Sequence, residues 1–198
     1  MARAPLREGS NKTMRKSADL AAFATDSRHE TLPDAVQLIQ YDHERQLEVC
    51  DGLETLVSAS EAEPIAEWAA TLLSFLIEDL PLHVKDEELD LFPRLTARQP
   101  AAGSNLGEIL DLLLTEHETD KGLADLVVQD LRVIADGAYP EYPIRFQMNV
   151  RAFCEMQRRH LNWENRVVLP LAEDLLTDGD KRDLAQSMLA RRSGRESP

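Results

Sequence analysis

Two stretches of the 198-residue chain share one skeleton of reactive side chains: His83 to Pro93 reads HVKDEELDLFP and His160 to Pro170 reads HLNWENRVVLP. Each opens on a histidine, places a glutamate four residues on, and closes on a large apolar residue (Phe92, Leu169) followed by proline. On an α-helix a step of four keeps two side chains on one face about one turn apart, so His83/Glu87 and His160/Glu164 each present an imidazole and a carboxylate together. Such pairs suit a metal ion. Two further histidines, His43 and His117, fall on apolar stripes of helical period, whereas His29 lies in a polar stretch without partners and reads as a surface residue.

The elements that must position these residues are helices. Pro33 and Asp34 start the first, expected over about 33 to 59 with the stripe Val36, Ile39, His43, Leu47, Cys50, Leu53 and Val57. The second carries Ile65, Trp68, Leu72, Leu76, Leu80, His83, Glu87 and Leu91. Pro81 predicts a kink or brief break just before His83, with the helix resuming through Phe92. After a loop over Pro100 to Asn105, with Ser104 or Asn105 as cap, the third runs through Ile109, Leu113, His117, Ala124, Val127, Leu131 and Ile134 to Asp136-Gly137. The fourth begins near Glu141 to Pro143 and carries Phe146, Val150, Phe153, His160, Glu164, Val167, Leu171 and Leu175. Thr177 to Asp180 caps a short fifth helix, whose Leu184, Met188 and Leu189 are placed to cover one end.

Short loops between these helices predict an all-α, up-down-up-down four-helix bundle with a short C-terminal fifth helix. The organisation expected is a basic N-terminal arm over 1–30, the bundle over 31–177, and the last helix and tail over 178–198. Counting from each core histidine to the next turn and back, at about 1.5 Å per residue, brings His43, His83, His117 and His160 to one level within roughly one helical turn. Four imidazoles and two carboxylates in an apolar layer would cost about 1–3 kcal/mol for each unpartnered group, and more for charges, so a cation is the expected compensation. Nitrogen and oxygen donors without thiolates suit iron, manganese, cobalt or zinc. The six divide into His43 and His83 on one ion and His117 and His160 on a second, with Glu87 and Glu164 bridging.

Composition narrows the partners. A net charge of −14 argues against a nucleic-acid binder, although residues 1–30 hold six Lys/Arg against four Asp/Glu. No apolar stretch reaches membrane-crossing length and no apolar leader opens the chain, so a cytoplasmic protein with no membrane partner is expected. Cys50 and Cys154 lack a CxxC spacing and read as reduced core thiols. Glu88 and Asp90 are expected on a solvated face. Glu116 and Glu118 flank His117, where either is placed to orient a ligand, although a surface position is the stronger expectation. Phe92, Phe153 and Trp163 are expected as walls of the core.

The order of one histidine, an HxxxE pair, one histidine and a second HxxxE pair on four helices, with Leu91-Phe92-Pro93 closing the second, resembles the hemerythrin-like (HHE cation-binding) family over roughly Leu32 to Leu176. The resemblance implies a four-helix bundle with a non-haem, carboxylate-bridged di-iron centre, oxo- or hydroxo-bridged, with manganese or zinc as possible substitutes. It also implies a function in binding oxygen, sensing oxygen or iron, or reacting with peroxide or nitric oxide. Its candidate ligands are His43, His83, Glu87, His117, His160 and Glu164. Oxygen-carrying members place a further histidine four residues after the third-helix histidine, and that position is Lys121 here, so one iron should keep an extra open position. Tyr41, two residues before His43, should point away from the ligand face.

The leading expectation is therefore a protein that binds or senses oxygen, a related small ligand, or iron. The alternative is a di-iron oxidoreductase acting on peroxide or nitric oxide. A ferritin-like oxidase expects ExxH pairs, and a zinc hydrolase of the HExxH type needs that motif; the chain has neither. The sequence does not select an oligomeric state.

Overall fold

The computed structural model describes residues 34–58, 65–99 and 105–194. The expected arm over 1–30, His29 and Ser104 lie outside them. The first rod is α1 (Ala35–Leu56), which starts at Asp34, whose Oδ1 accepts the N–H groups of Val36 and Gln37 at 2.8 and 3.2 Å. The second is α2 (Ile65–Ser74), α3 (Leu80–Asp86) and α4 (Phe92–Arg98), joined end to end by wide π turns at Phe75–Asp79 and Glu87–Leu91. The third is the 30-residue α5 (Leu106–Ala135). Asn105 sits at its N-cap position without a side-chain bond to the helix, so the cap expected there does not form. The fourth joins α6 (Pro143–Trp163) to α7 (Leu169–Leu175) through a third π turn at Glu164–Val168. α8 (Asp178–Ser193) follows, closed by a reciprocal Thr177/Asp180 capping box as the sequence predicts. No strand occurs among the described residues.

Pro81 does not break the second rod. Each π turn ends two residues before a proline: Pro81, Pro93 and Pro170. A proline inside a helix offers no N–H to the carbonyl four residues back, and its ring crowds that carbonyl. One widened turn relieves the crowding and keeps the ladder continuous. The N–H groups of Leu80, Phe92 and Leu169 reach the carbonyls of Phe75, Glu87 and Glu164, five residues back in each case. The third rod stops at Gly137, whose φ of 80° suits a residue without a Cβ; its N–H donates to Ile134 O at 2.9 Å.

The core is two apolar clusters with a polar layer between them. One gathers Leu38, Ile39, Leu91, Phe92, Leu95, Leu113, Val168 and Leu169, with Leu184, Ala185 and Met188 of α8 closing that end. The other gathers Val49, Leu53, Leu72, Phe75, Val127, Leu131, Phe146 and Phe153, with both cysteines buried as free thiols. Along every rod the candidate ligand lies between these sets. Phe92 and Phe153 are core walls as expected, but Trp163 is 46% exposed. Tyr41 packs on the first cluster. Among the described residues no helix is long and apolar enough to cross a membrane.

Candidate metal centre

All six candidate residues meet in the polar layer, each at most 6% exposed. They form two groups, His43, His83, Glu87 and Glu164 on one side and Glu87, His117, His160 and Glu164 on the other, sharing both glutamates. His43 Nε2 lies 3.5 Å from Glu87 Oε1 and 3.3 Å from Glu164 Oε2. His83 and His117 place Nε2 3.4 Å from Glu87 Oε2, and His160 places Nε2 3.3 Å from Glu164 Oε2. The Nε2 atoms of His117 and His160 are 3.1 Å apart. Two ligands each about 2.1 Å from one first-row ion, at about 90–110° to each other, stand roughly 3.0–3.4 Å apart, close to these separations.

The unsatisfied atoms point the same way. His43 Nε2, His83 Nε2 and all four carboxylate oxygens of Glu87 and Glu164 are buried without a hydrogen-bond partner. Such a set fits a cation better than a packed core. Protons substitute for it in part. Burial opposes charge on His160, yet Glu164, Glu87 and Glu116 push its imidazole up to about 10. Against the same burial, the nearby glutamates raise His43 and His117. Burial also works against the Glu87 carboxylate, but His83, His117 and His43 hold it well below the usual carboxylate range. At His83 burial prevails over Glu87 and lowers the imidazole to about 3.

The Hemerythrin HHE cation binding domain matches residues 34–172 of the chain. The chain belongs to the hemerythrin HHE family. A comparison with curated proteins gives no match. The matched span contains all six candidate ligands and the first three rods, and it ends within α7 of the fourth, before α8.

Within this HHE domain the outer nitrogen of each imidazole faces a residue adjacent in sequence to another candidate ligand. Glu88, beside Glu87, accepts from His117 Nδ1 at 2.8 Å; Glu116, beside His117, from His160 Nδ1 at 3.1 Å; and Asn165, beside Glu164, from His43 Nδ1 at 2.8 Å. Asp42, beside His43, lies 3.9 Å from His83 Nδ1, beyond hydrogen-bond reach, and that nitrogen is buried without a partner. Hydrogen-bonded support thus passes from the second rod to the third, from the third to the fourth and from the fourth to the first, while Asp42 of the first only approaches His83 of the second. In a helix, neighbours in sequence point about 100° apart, so a residue beside an inward ligand is aimed sideways at one adjoining rod. On the first and third rods the supporting residue precedes the ligand, and on the second and fourth it follows. Successive rods run antiparallel, so both offsets turn the same way around the bundle. Since oxygen accepts and Nδ1 donates, Nε2 is the nitrogen that His43, His117 and His160 turn to the centre, where a cation would replace its proton.

Glu88 was expected on a solvated face, which this inter-rod geometry corrects, and Glu116 takes the ligand-orienting role in place of the surface position preferred for it. Asp90 is also buried, paired with Arg94 and Arg191. Glu118 is exposed, as expected. α8 contributes a further contact: Arg192, 8% exposed, donates to Asp42 Oδ2 at 2.5 Å and Asp86 Oδ2 at 2.6 Å, and Arg191 pairs with Asp86 and Asp90. Burial raises Asp42 to about 6 even with Arg192 and Arg45 beside it. Arg192 therefore stands two contacts from His83, a link that no sequence motif announces.

Proposed function

We propose that this HHE protein holds two iron ions, one on His43 and His83 and one on His117 and His160, with Glu87 and Glu164 shared, and that it binds or senses oxygen, a related small ligand, or iron. The observation that carries this reading is the pair of unpartnered carboxylates at the junction of two donor groups. Bound iron would supply reversible one-electron chemistry and coordination positions for a small ligand. The chain's own residues do the rest. Four neutral imidazoles and two carboxylates bring only two negative charges to two cations, which favours the ferrous state over the high-valent states that oxygenases use. Phe92 stacks on His117 with ring centroids 5.9 Å apart and planes 12° from parallel, shielding that ring from solvent.

Lys121, exposed and four residues after His117, replaces the further imidazole expected of an oxygen carrier. It leaves the His117 side one donor short, which favours a sensor or a reactive centre over reversible carriage. An oxidoreductase acting on peroxide or nitric oxide is the second reading, favoured by the open approach to His117 and His160 described below. The test is elemental analysis and an absorption spectrum of protein reconstituted with ferrous iron and exposed to air. Two irons per chain with bridge charge-transfer bands are expected. A folded protein that takes up no iron, or only one, removes the proposal. Turnover of peroxide or nitric oxide above a metal-free control would select the second reading.

A further inference from the structure

One cleft of about 430 Å³ opens between the second rod and α5 and runs inward to the imidazoles of His83, His117 and His160. That space equals roughly fourteen waters at about 30 Å³ each, far more than a diatomic ligand occupies. It lies within the size range of pockets for organic molecules. Leu76, Leu80, Ala124 and Val128 form an apolar wall.

Three polar side chains line its inner part, each one turn from a candidate ligand: Gln46 beyond His43, Asp120 beyond His117 and Gln157 before His160. They are 3–4% exposed. The Gln157 amide donates to Asp120 Oδ2 at 3.1 Å, which leaves Gln157 Oε1, Asp120 Oδ1 and Gln46 Nε2 buried without partners. Each such atom costs about 1–3 kcal/mol if nothing bonds to it. Three gathered on one patch beside a cleft therefore describe a receptor for a polar group. The patch offers two acceptors and one donor. Two unpartnered acceptors, one of them on a carboxyl group, disfavour an anionic head at this patch, and around the cleft mouth Glu88, Glu118 and Asp125 outnumber Lys85 and Lys121.

We propose that this cleft binds a small organic molecule with an apolar body and an uncharged or cationic head carrying N–H or O–H donors, its head on Gln46, Asp120 and Gln157 beside the His117–His160 pair. That this molecule is a substrate or effector of the centre rests on the di-iron reading; that it binds does not.

Three probes with one apolar body separate the cases: benzylamine, benzyl alcohol and benzoate, titrated by calorimetry into the full chain, both metal-free and iron-loaded. Benzylamine and benzyl alcohol should bind at least about ten-fold more tightly than benzoate and shift the side-chain amide resonances of Gln46 and Gln157. Ala124→Phe, which fills the apolar wall, should abolish binding. Lys121→Trp, a change at an exposed position on the cleft, should weaken it about ten-fold and guards against a folding failure of the first variant. No binding of any probe, equal binding of all three, or binding unchanged in both variants overturns the proposal. Two irons per chain without probe binding would leave the di-iron reading standing and remove this one; probe binding without iron uptake would do the reverse.

Discussion

Glu87 and Glu164 belong to both donor groups, whereas each histidine belongs to one, and the difference is measurable. Glu87→Ala should abolish uptake of both ions, while His117→Ala should reduce it from two to one, as read by elemental analysis of the loaded variants. One step further out, Glu88→Ala, Glu116→Ala and Asn165→Ala each free an imidazole that is otherwise held by its outer nitrogen. Each is expected to weaken metal affinity about 10–100-fold in a chelator competition, with helical circular dichroism unchanged. In the metal-free protein His160 is raised from 6.5 to about 10, with burial opposing and Glu164 and Glu87 prevailing. Its contribution to stability is complete below about pH 6.5 and is lost as pH rises through 10. The melting temperature of the metal-free protein should therefore fall over that interval, and the loaded protein should not show this fall. The six inner residues were readable in the sequence because type and offset suffice: histidine with glutamate four on, twice, and two more histidines on apolar stripes. The supporting residues were legible only in part: Glu116 stands out as a neighbour of His117, but which imidazole it holds, and the role of Glu88, follow only when the adjoining rod and its direction are known.

The prolines show a similar limit at the level of elements. Pro81 reads as a kink or brief break, and the irregularity found before it is the wide turn at Phe75–Asp79; Pro93 and Pro170 bring two more, which begin at Glu87 and Glu164 themselves. Restoring the N–H with Pro93→Ala or Pro170→Ala allows a regular turn, which would shift everything beyond it around the helix axis by up to about one residue's 100°. Metal affinity should drop in these variants while the metal-free melting temperature holds or rises, a combination that a simple packing defect would not give. α8 was legible as a capped amphipathic segment, since the Thr177/Asp180 box and the Leu184 and Met188 spacing are local features. Its two arginines were not, because their partners Asp42, Asp86 and Asp90 lie about a hundred or more residues away in the chain. Arg192→Met leaves Asp42 and Asp86 buried with fewer counter-charges, and breaking such a pair typically costs about 3–5 kcal/mol. Denaturant unfolding should register a loss of that order, and iron affinity should fall with it, through Asp42 and His83.

Taken whole, the molecule divides its apolar interior in two, and each half has its own packing: one capped by α8, the other by Phe146, Val150 and Phe153. The rods therefore need no ion to associate, and chelation should lower the melting temperature without erasing helicity. At free iron about a thousand-fold above its dissociation constant, loading would add about 4 kcal/mol per site. Scanning calorimetry of the two forms checks this; a metal-free chain without a cooperative transition would contradict it. The bundle, the common height of the histidines and the covering last helix follow from periodicity and loop length, so the sequence reveals them. The cleft does not, because a void depends on which side chains fail to meet. The order of the supporting contacts has one more consequence. The second, third and fourth rods each prop a neighbour, so a fragment lacking the fourth leaves the His43 imidazole unsteadied and removes His160 outright. A chain nicked and stripped of its fourth rod should consequently take up no pair of ions, and occupancy becomes an all-or-none report that the last strut has docked.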